Sequence, residues 1–199
     1  MIFVVDTSSA RSALALLDGE GAVVHEVLHA SGPSFDLPAR YRALVENRRL
    51  ARIAVATGPG SFTGLRVGAS FAVGLALGLQ VPIAPLSTLA IQAARAAAPV
   101  LAVSEAGRGR VYFLAPGGET GLGEPGDLPK GHAVAGWLRP ATEAALTGAG
   151  LRMAADEDLL TFGAAASRLL KSARDVAPGS VKLEYMQSFS VPTKSEPSA

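Results

Sequence analysis

Three places in this chain of 199 residues combine residue types that could do chemistry. The first is His25-Glu26-Val27-Leu28-His29, which matches H-E-x-x-H. On a helix that spacing stacks two imidazoles one turn apart, with Cβ atoms about 5–6 Å from each other, and leaves the glutamate as a base beside a zinc ion. Here the segment follows a turn signal and contains Val23, Val24 and Val27, so it reads as a strand. Residues four apart on a strand are about 13 Å from each other, too far for two rings to share one metal. No metal site is assigned, and a metalloprotease using this segment ranks last among the alternatives.

The second place is Asp6, at the end of an apolar run and followed by Thr7-Ser8-Ser9. A carboxylate there could position a metal or a phosphate-bearing ligand. Its plainer role is to cap a turn by accepting backbone N–H bonds. The third place is Gly58-Pro59-Gly60-Ser61-Phe62-Thr63-Gly64-Leu65-Arg66. Gly58 and Gly60 permit close backbone approach, Pro59 stiffens the turn, and Ser61 or Thr63 can cap a helix beginning near Gly64. Free N–H groups at such a helix start would suit an anion. The lysine and following hydroxyl residue of a phosphate loop are missing, however. For nucleotide binding by this chain alone, a tight strand-to-helix packing turn is the preferred reading.

The elements that must position these residues can be read from pattern. Ile2–Val5, Ser12–Leu17 and Ala22–His29 read as three strands of an antiparallel meander with the first strand central, and the turn signal Asp18-Gly19-Glu20-Gly21 separates the last two. A short helix starts near Pro38 and runs through Tyr41, Leu44 and Val45. Ile53–Ala56 is a buried strand feeding the glycine turn. Leu65–Leu79 is a helix, apolar nearly all round and so expected to be buried on most faces. Its small residues recur at Gly64, Gly68, Ala72 and Ala76, which lets another backbone approach closely. A membrane span is the rival reading, but Gln80, Pro82 and Pro85 interrupt the run before the roughly 20 residues a span needs. Val81–Pro85 reads as a strand and Ser87–Ala98 as a helix. Val100–Ser104 and Arg110–Leu114 form a hairpin around Gly107-Arg108-Gly109. Residues 115–133 read as a long irregular loop, with helices near Pro140–Leu146 and Asp156–Ala173. Strands and helices in this order imply a mixed α/β sheet covered by helices. The expected division is an N-terminal lobe at 1–98, a C-terminal lobe at 99–189 and a disordered tail at 190–199.

Composition bounds the rest. The residues are 49% apolar and 18% charged, which excludes a disordered chain. There is no cysteine, hence no disulfide framework and no thiolate metal site. The start on Met1-Ile2-Phe3-Val4-Val5 shows no basic region, apolar core and cleavage site of a secretory signal, so a cytoplasmic protein is expected. A formal net charge of +1 gives no global nucleic-acid footprint. Arg40, Arg42, Arg48, Arg49 and Arg52 nevertheless cluster, opposed locally only by Glu46. This is read first as a solvated helix face, and second as a docking patch for an anionic partner or RNA.

Ile2-Phe3-Val4-Val5-Asp6-Thr7-Ser8, the run Gly58–Arg66, its continuation Val67-Gly68 to Gly74-Leu75-Ala76-Leu77-Gly78, and Pro85-Leu86-Ser87-Thr88-Leu89 together resemble the TsaB (YeaZ) family. The resemblance covers about residues 1–114, with Arg108, Val111 and Tyr112 in a familiar place. Beyond them only Leu146-Thr147-Gly148-Ala149-Gly150 matches. It implies an α/β ribonuclease H-like (actin-like ATPase, ASKHA) fold in two lobes, each a mixed sheet flanked by helices. It implies a non-catalytic subunit of the complex that adds threonylcarbamoyl to the N6 of adenosine 37 in tRNAs reading codons that begin with A. The partners implied are a TsaD-like catalytic subunit and a TsaE-like ATPase, with a homodimer when the chain is alone and tRNA met only through the complex. No cofactor of its own is implied; ATP and metal belong to the partner subunits.

The same resemblance gives the site residues. Asp6, Gly58, Gly60, Ser61, Thr63 and Gly64 become a vestigial phosphate-loop-like turn. The helices at about 34–46 and 65–79 become the partner contact, through Phe35, Leu37, Tyr41, Val45, Arg66, Ser70, Val73 and Leu77. The lead-in Ser34-Phe35-Asp36-Leu37 stands where the family often carries a histidine. The main alternative is a stand-alone ATP-dependent kinase-like enzyme of the same fold, whose second phosphate loop would have to be built at Gly148 and Gly150.

Overall fold

In the computed structural model, residues 1–185 are described; the tail expected at 190–199 lies outside them. Strands β1 (Ile2–Asp6), β2 (Arg11–Leu17) and β3 (Val23–Ala30) form the expected meander. Then come α1 (Leu37–Val45), β4 (Arg52–Gly58), α2 (Phe62–Leu79), β5 (Ile83–Ser87) and α3 (Thr88–Ala94). The second half holds β6 (Leu101–Gly107), β7 (Arg110–Leu114), β8 (Thr120–Gly123), β9 (Ala133–Ala135), α4 (Pro140–Gly148), β10 (Arg152–Met153) and α5 (Phe162–Leu170).

The first sheet has the order β3-β2-β1-β4-β5, with β1 central: antiparallel to β2 and parallel to β4. Side chains alternate along each strand, so β1 feeds two cores at once. Phe3 and Val5 pack with Leu14, Leu16, Leu44, Ile53, Ala72 and Ala76 under α1 and α2. Val4 faces the other way, with Ala13, Ala15, Ala54, Phe162, Ala165 and Ala166 under α5. The second sheet, β10-β9-β6-β7-β8, repeats the plan: β6, β7 and β8 form an antiparallel meander, and β9 and β10 extend it in parallel. Two like-built mixed sheets flanked by helices are the expected fold class. Helix α3 lies between them, since Ile91 joins the first core while Leu89 packs with Ala102 and Tyr112 of the second sheet.

Several expectations are corrected. Residues 115–133 are not one irregular loop, because Gly121 and Leu122 pair with Phe113 and Tyr112 and give the second sheet its edge strand. The glycines hid this strand from a propensity reading. The last helix begins at Phe162 instead of Asp156, where a short 3-10 turn stands, and α3 ends at Ala94. Helix α5 also returns to the first sheet, so residues 162–170 share the first lobe's core although the expected division places them in the second. The apolar stripe Phe162, Ala165, Ala166, Leu170 says that a helix covers a sheet, but not which sheet.

Helix α2 is the most informative correction. It is long and apolar enough by length and composition to cross a membrane. It is not buried on most faces: its inward residues are Leu65, Gly68, Ala69, Ala72 and Ala76, the small residues that let it lie close on the sheet. Its solvent-exposed residues include the large apolar Phe62, Val67, Leu77 and Leu79 together with Arg66 and Ser70.

Candidate functional site

The glycine turn lies against the turn after β1. The Ser61 N–H donates to the Ser8 carbonyl at 2.7 Å, and Thr7 Oγ1 donates to the Gly64 carbonyl at 2.6 Å. A Cβ on Gly64 would run into the Thr7 carbonyl, and Gly60 is likewise pressed on Ser8. Gly58 adopts φ +116°, and a side chain there would also meet the Glu184 carbonyl. Ser61 is the N-cap of α2, accepting from the Gly64 N–H at 3.3 Å, whereas Thr63 is exposed on the first turn. The glycines therefore seat the helix start on the Asp6–Ser9 turn.

Asp6 is wholly buried. Its Oδ1 accepts from the Ser8 N–H at 2.8 Å and from Ser8 Oγ at 2.6 Å, which is the turn-cap role. Ser8 Oγ also lies 3.0 Å from Thr88 Oγ1 at the start of α3. Asp6 Oδ2 has no partner among the described residues. Burial pushes this carboxyl above its ordinary range, against the lowering effect of the two Ser8 bonds.

Beside this turn, between the two sheets, opens a cleft of about 720 Å3. Ser8, Gly60, Ser61 and Phe62 line one side and Glu105, Gly107, Tyr112 and Arg139 the other, with Glu184 and Tyr185 at its margin. Glu105 accepts from Arg139 Nε at 2.7 Å, from the Arg139 N–H at 2.9 Å and from Thr142 Oγ1 at 2.6 Å, so it caps the start of α4. Sequence reading missed Glu105, Arg139 and Tyr185. An acid ending one strand of a hairpin and an arginine before Pro140 were the available signals, but their pairing spans more than thirty positions. Asp6 lies outside the cleft lining, and Gly58 is buried behind it.

The residues assigned to the partner contact divide. On α1, Leu37 and Val45 are only 3% and 4% exposed and belong to the core beneath the helix. They are corrected to supporting residues, because a nine-residue helix lying on the sheet must turn its apolar positions inward. Tyr41 is half-buried, edge-on to Phe3 and Phe71, and Phe35 is half-buried beneath the Arg40 guanidinium. On α2, Arg66, Ser70 and Leu77 are exposed and Val73 is half-buried. The Arg66 guanidinium lies 3.7 Å over the Phe62 ring and donates to Tyr185 Oη at 3.3 Å.

The remaining motifs have structural uses. His25 and His29 lie on β3, and Glu26 between them caps α5; among the described residues no three His, Asp or Glu side chains converge as a metal site. Gly148 and Gly150 end α4, where Lys130 Nζ donates to the Ala149 carbonyl at 2.7 Å. A helix C-terminus presents carbonyls, which repel phosphate. In the arginine cluster, Arg52 bonds Asp175 and the carbonyls of Leu170 and Ala173 behind α5, and Arg48 pairs with Glu46 at 2.9 Å.

Comparison with known proteins agrees with this geometry. A family model described as TsaD: tRNA N6-adenosine threonylcarbamoyltransferase matches residues 39–135. The chain is 34% identical over 122 residues to the tRNA threonylcarbamoyladenosine biosynthesis protein TsaB of Haemophilus influenzae, covering 56% of this chain and 52% of that protein. It is 32% identical over 120 residues to the protein of the same name from Bacillus subtilis, again 56% and 52%. With the Escherichia coli protein of that name the identity is 46% over 66 residues, 31% of this chain and 29% of that one. The match thus spans about half the length of the first two of these relatives. Among solved structures, YeaZ from Pseudomonas aeruginosa superposes with a TM-score of 0.71 at 21% identity, over 93% of this chain and 99% of that one.

Proposed function

We propose, from the premise that the chain is a TsaB/YeaZ-family protein, that it is the non-catalytic partner subunit of a cytoplasmic tRNA threonylcarbamoyladenosine-forming complex. In this reading it pairs with a TsaD-like catalytic subunit through the outer face of α2, with the exposed end of α1 beside it. A TsaE-like ATPase joins them, and ATP and metal sit on the partner subunits.

The observation that carries the reading is the uncovered face of α2. Leu77 is 60% exposed on a helix whose sheet contact is already complete through Gly68, Ala72 and Ala76. Its exposed large side chains, Phe62, Val67, Leu77 and Leu79, are interspersed with Arg66 and Ser70, the mixture of apolar and polar groups that a non-obligate protein interface carries. The glycine turn serves this surface by holding the first turn of α2 hard against Thr7 and Ser8.

The test is capture from native extract with mass-spectrometric identification, beside assays of the purified chain. A TsaD-like protein is expected in the capture, with no appreciable ATP hydrolysis or threonylcarbamoyladenylate formation by the chain alone. A chain that catalyses either reaction unaided, or that captures no TsaD-like protein, would sink the reading.

A further inference from the structure

Beyond a scaffolding role, and resting on the reading above only for where the RNA comes from, we propose that the rim of the inter-lobe cleft is a docking surface for a single-stranded RNA loop. One rim is an aromatic platform. Phe62 and Tyr185 are 54% and 46% exposed, their ring centroids lie 5.4 Å apart, and the Arg66 guanidinium covers the Phe62 face. The other rim is the β6–β7 hairpin. Gly107 lines the cleft, and the tip beyond it carries Arg108 and Arg110, both exposed and without an ion-pair partner among the described residues. Arg108 is held at φ 54° between two glycines. Arg139 also lines the cleft, bonded to Glu105. Arg66, Arg108 and Arg110 make no ion pair among the described residues, whereas Arg139 is paired with Glu105 of the cleft lining.

Arginine beside an exposed ring, Tyr185, at the mouth of a cavity suits a splayed-out nucleotide, with its base stacked on that ring and its phosphates met by guanidinium groups. A duplex keeps its bases stacked inside and cannot use the platform. A protein partner has Ser70 and Leu77, farther along α2, instead. The 40–52 arginine cluster is a poorer RNA surface, since Arg52 and Arg48 are spent on Asp175 and Glu46.

The test is fluorescence anisotropy of the full chain with a labelled RNA hairpin carrying an anticodon-sized loop, against a blunt RNA duplex of equal charge, across a salt series. The hairpin is expected to bind more tightly than the duplex. Tyr185→Ala weakens hairpin binding about fivefold or more without changing the salt slope, and Tyr185→Phe restores it. Replacing Arg108 and Arg110 together with Ala lowers the slope of log affinity against log salt by about 1.4, the value for two phosphate contacts on a single strand. No binding, no preference for the hairpin, or no effect of Tyr185→Ala overturns the proposal. If wild type captures a TsaD-like subunit but no RNA, the docking proposal falls and the partner reading stands. If these variants lose that capture instead of RNA affinity, the rim is a protein interface and the docking proposal again falls. RNA binding without capture has the opposite meaning.

Discussion

Glu26 on the edge strand β3 caps the helix that crosses behind it, its carboxylate accepting from the Gly163 N–H at 2.8 Å and the Phe162 N–H at 3.1 Å. Gly163 is needed there because a Cβ would press on Val23, Glu26 and Ala15. The acid of the H-E-x-x-H match is thus a helix anchor, placed where the positive end of α5 favours it. Glu26→Ala is expected to cost about 0.5–2 kcal/mol in urea unfolding, the range for a lost N-cap. Exchanging both flanking histidines for Gln should leave stability unchanged. A bound zinc ion found by metal analysis of a chelator-free preparation, lost with those histidines, would contradict this assignment.

Asp6 sets a pH dependence whose sign follows from its burial. Its folded-state carboxyl is raised above the ordinary range, so the native state holds a proton that the unfolded chain releases first. Stability from this group is then fully present below the unfolded value near about 4 and declines as pH rises toward the folded one. Asp6→Asn keeps an oxygen to accept from Ser8 and removes the charge. It is expected to raise the urea midpoint at neutral pH and to lose that advantage in acid. An advantage that grows on acidification would refute the argument.

Much of the first lobe was legible because its signals are local. Ile2–Val5 and Ser12–Leu17 are β-rich runs between turn residues, and Pro38 marks a helix start, which the structure caps through Asp36 accepting from the Ala39 N–H. The glycine turn was legible as close packing, although nothing local says that Gly64 packs on Thr7, fifty-seven positions earlier. What failed to show is what depends on distant partners. The split of α2 into a sheet side and an open side needs the sheet, and the pairing of Glu105 with Arg139 needs the second lobe. The edge strand at 120–123 carries glycines that only pairing with β7 makes extended.

Gly64 and Gly74 sit in the same helix and should respond oppositely to one methyl group. At Gly64 the Cβ would meet the backbone carbonyl of Thr7, which cannot swing away, while at Gly74 nothing stands within 4 Å. Gly64→Ala is expected to destabilise by about 1–3 kcal/mol through overpacking. Gly74→Ala should stabilise by about 0.4–1 kcal/mol by restricting the unfolded chain. Thermal melts of the two variants decide it, and a tolerated Gly64→Ala would mean that the turn can yield.

The partner face calls for a substitution that cannot act through the fold. Val73 is half-buried and packs against the core beneath α2, so a glutamate there would confuse lost pairing with lost stability. Leu77 is largely in water already, and Leu77→Glu leaves the monomer's core untouched. Its melting temperature should match wild type within the small effect usual for surface changes. Capture of a TsaD-like subunit should be lost, because a charge would be desolvated at the centre of an apolar contact. Size-exclusion chromatography of the variant alone and mixed with that subunit reads both quantities together. Wild-type capture by a well-folded Leu77→Glu chain would move the partner surface off the outer face of α2.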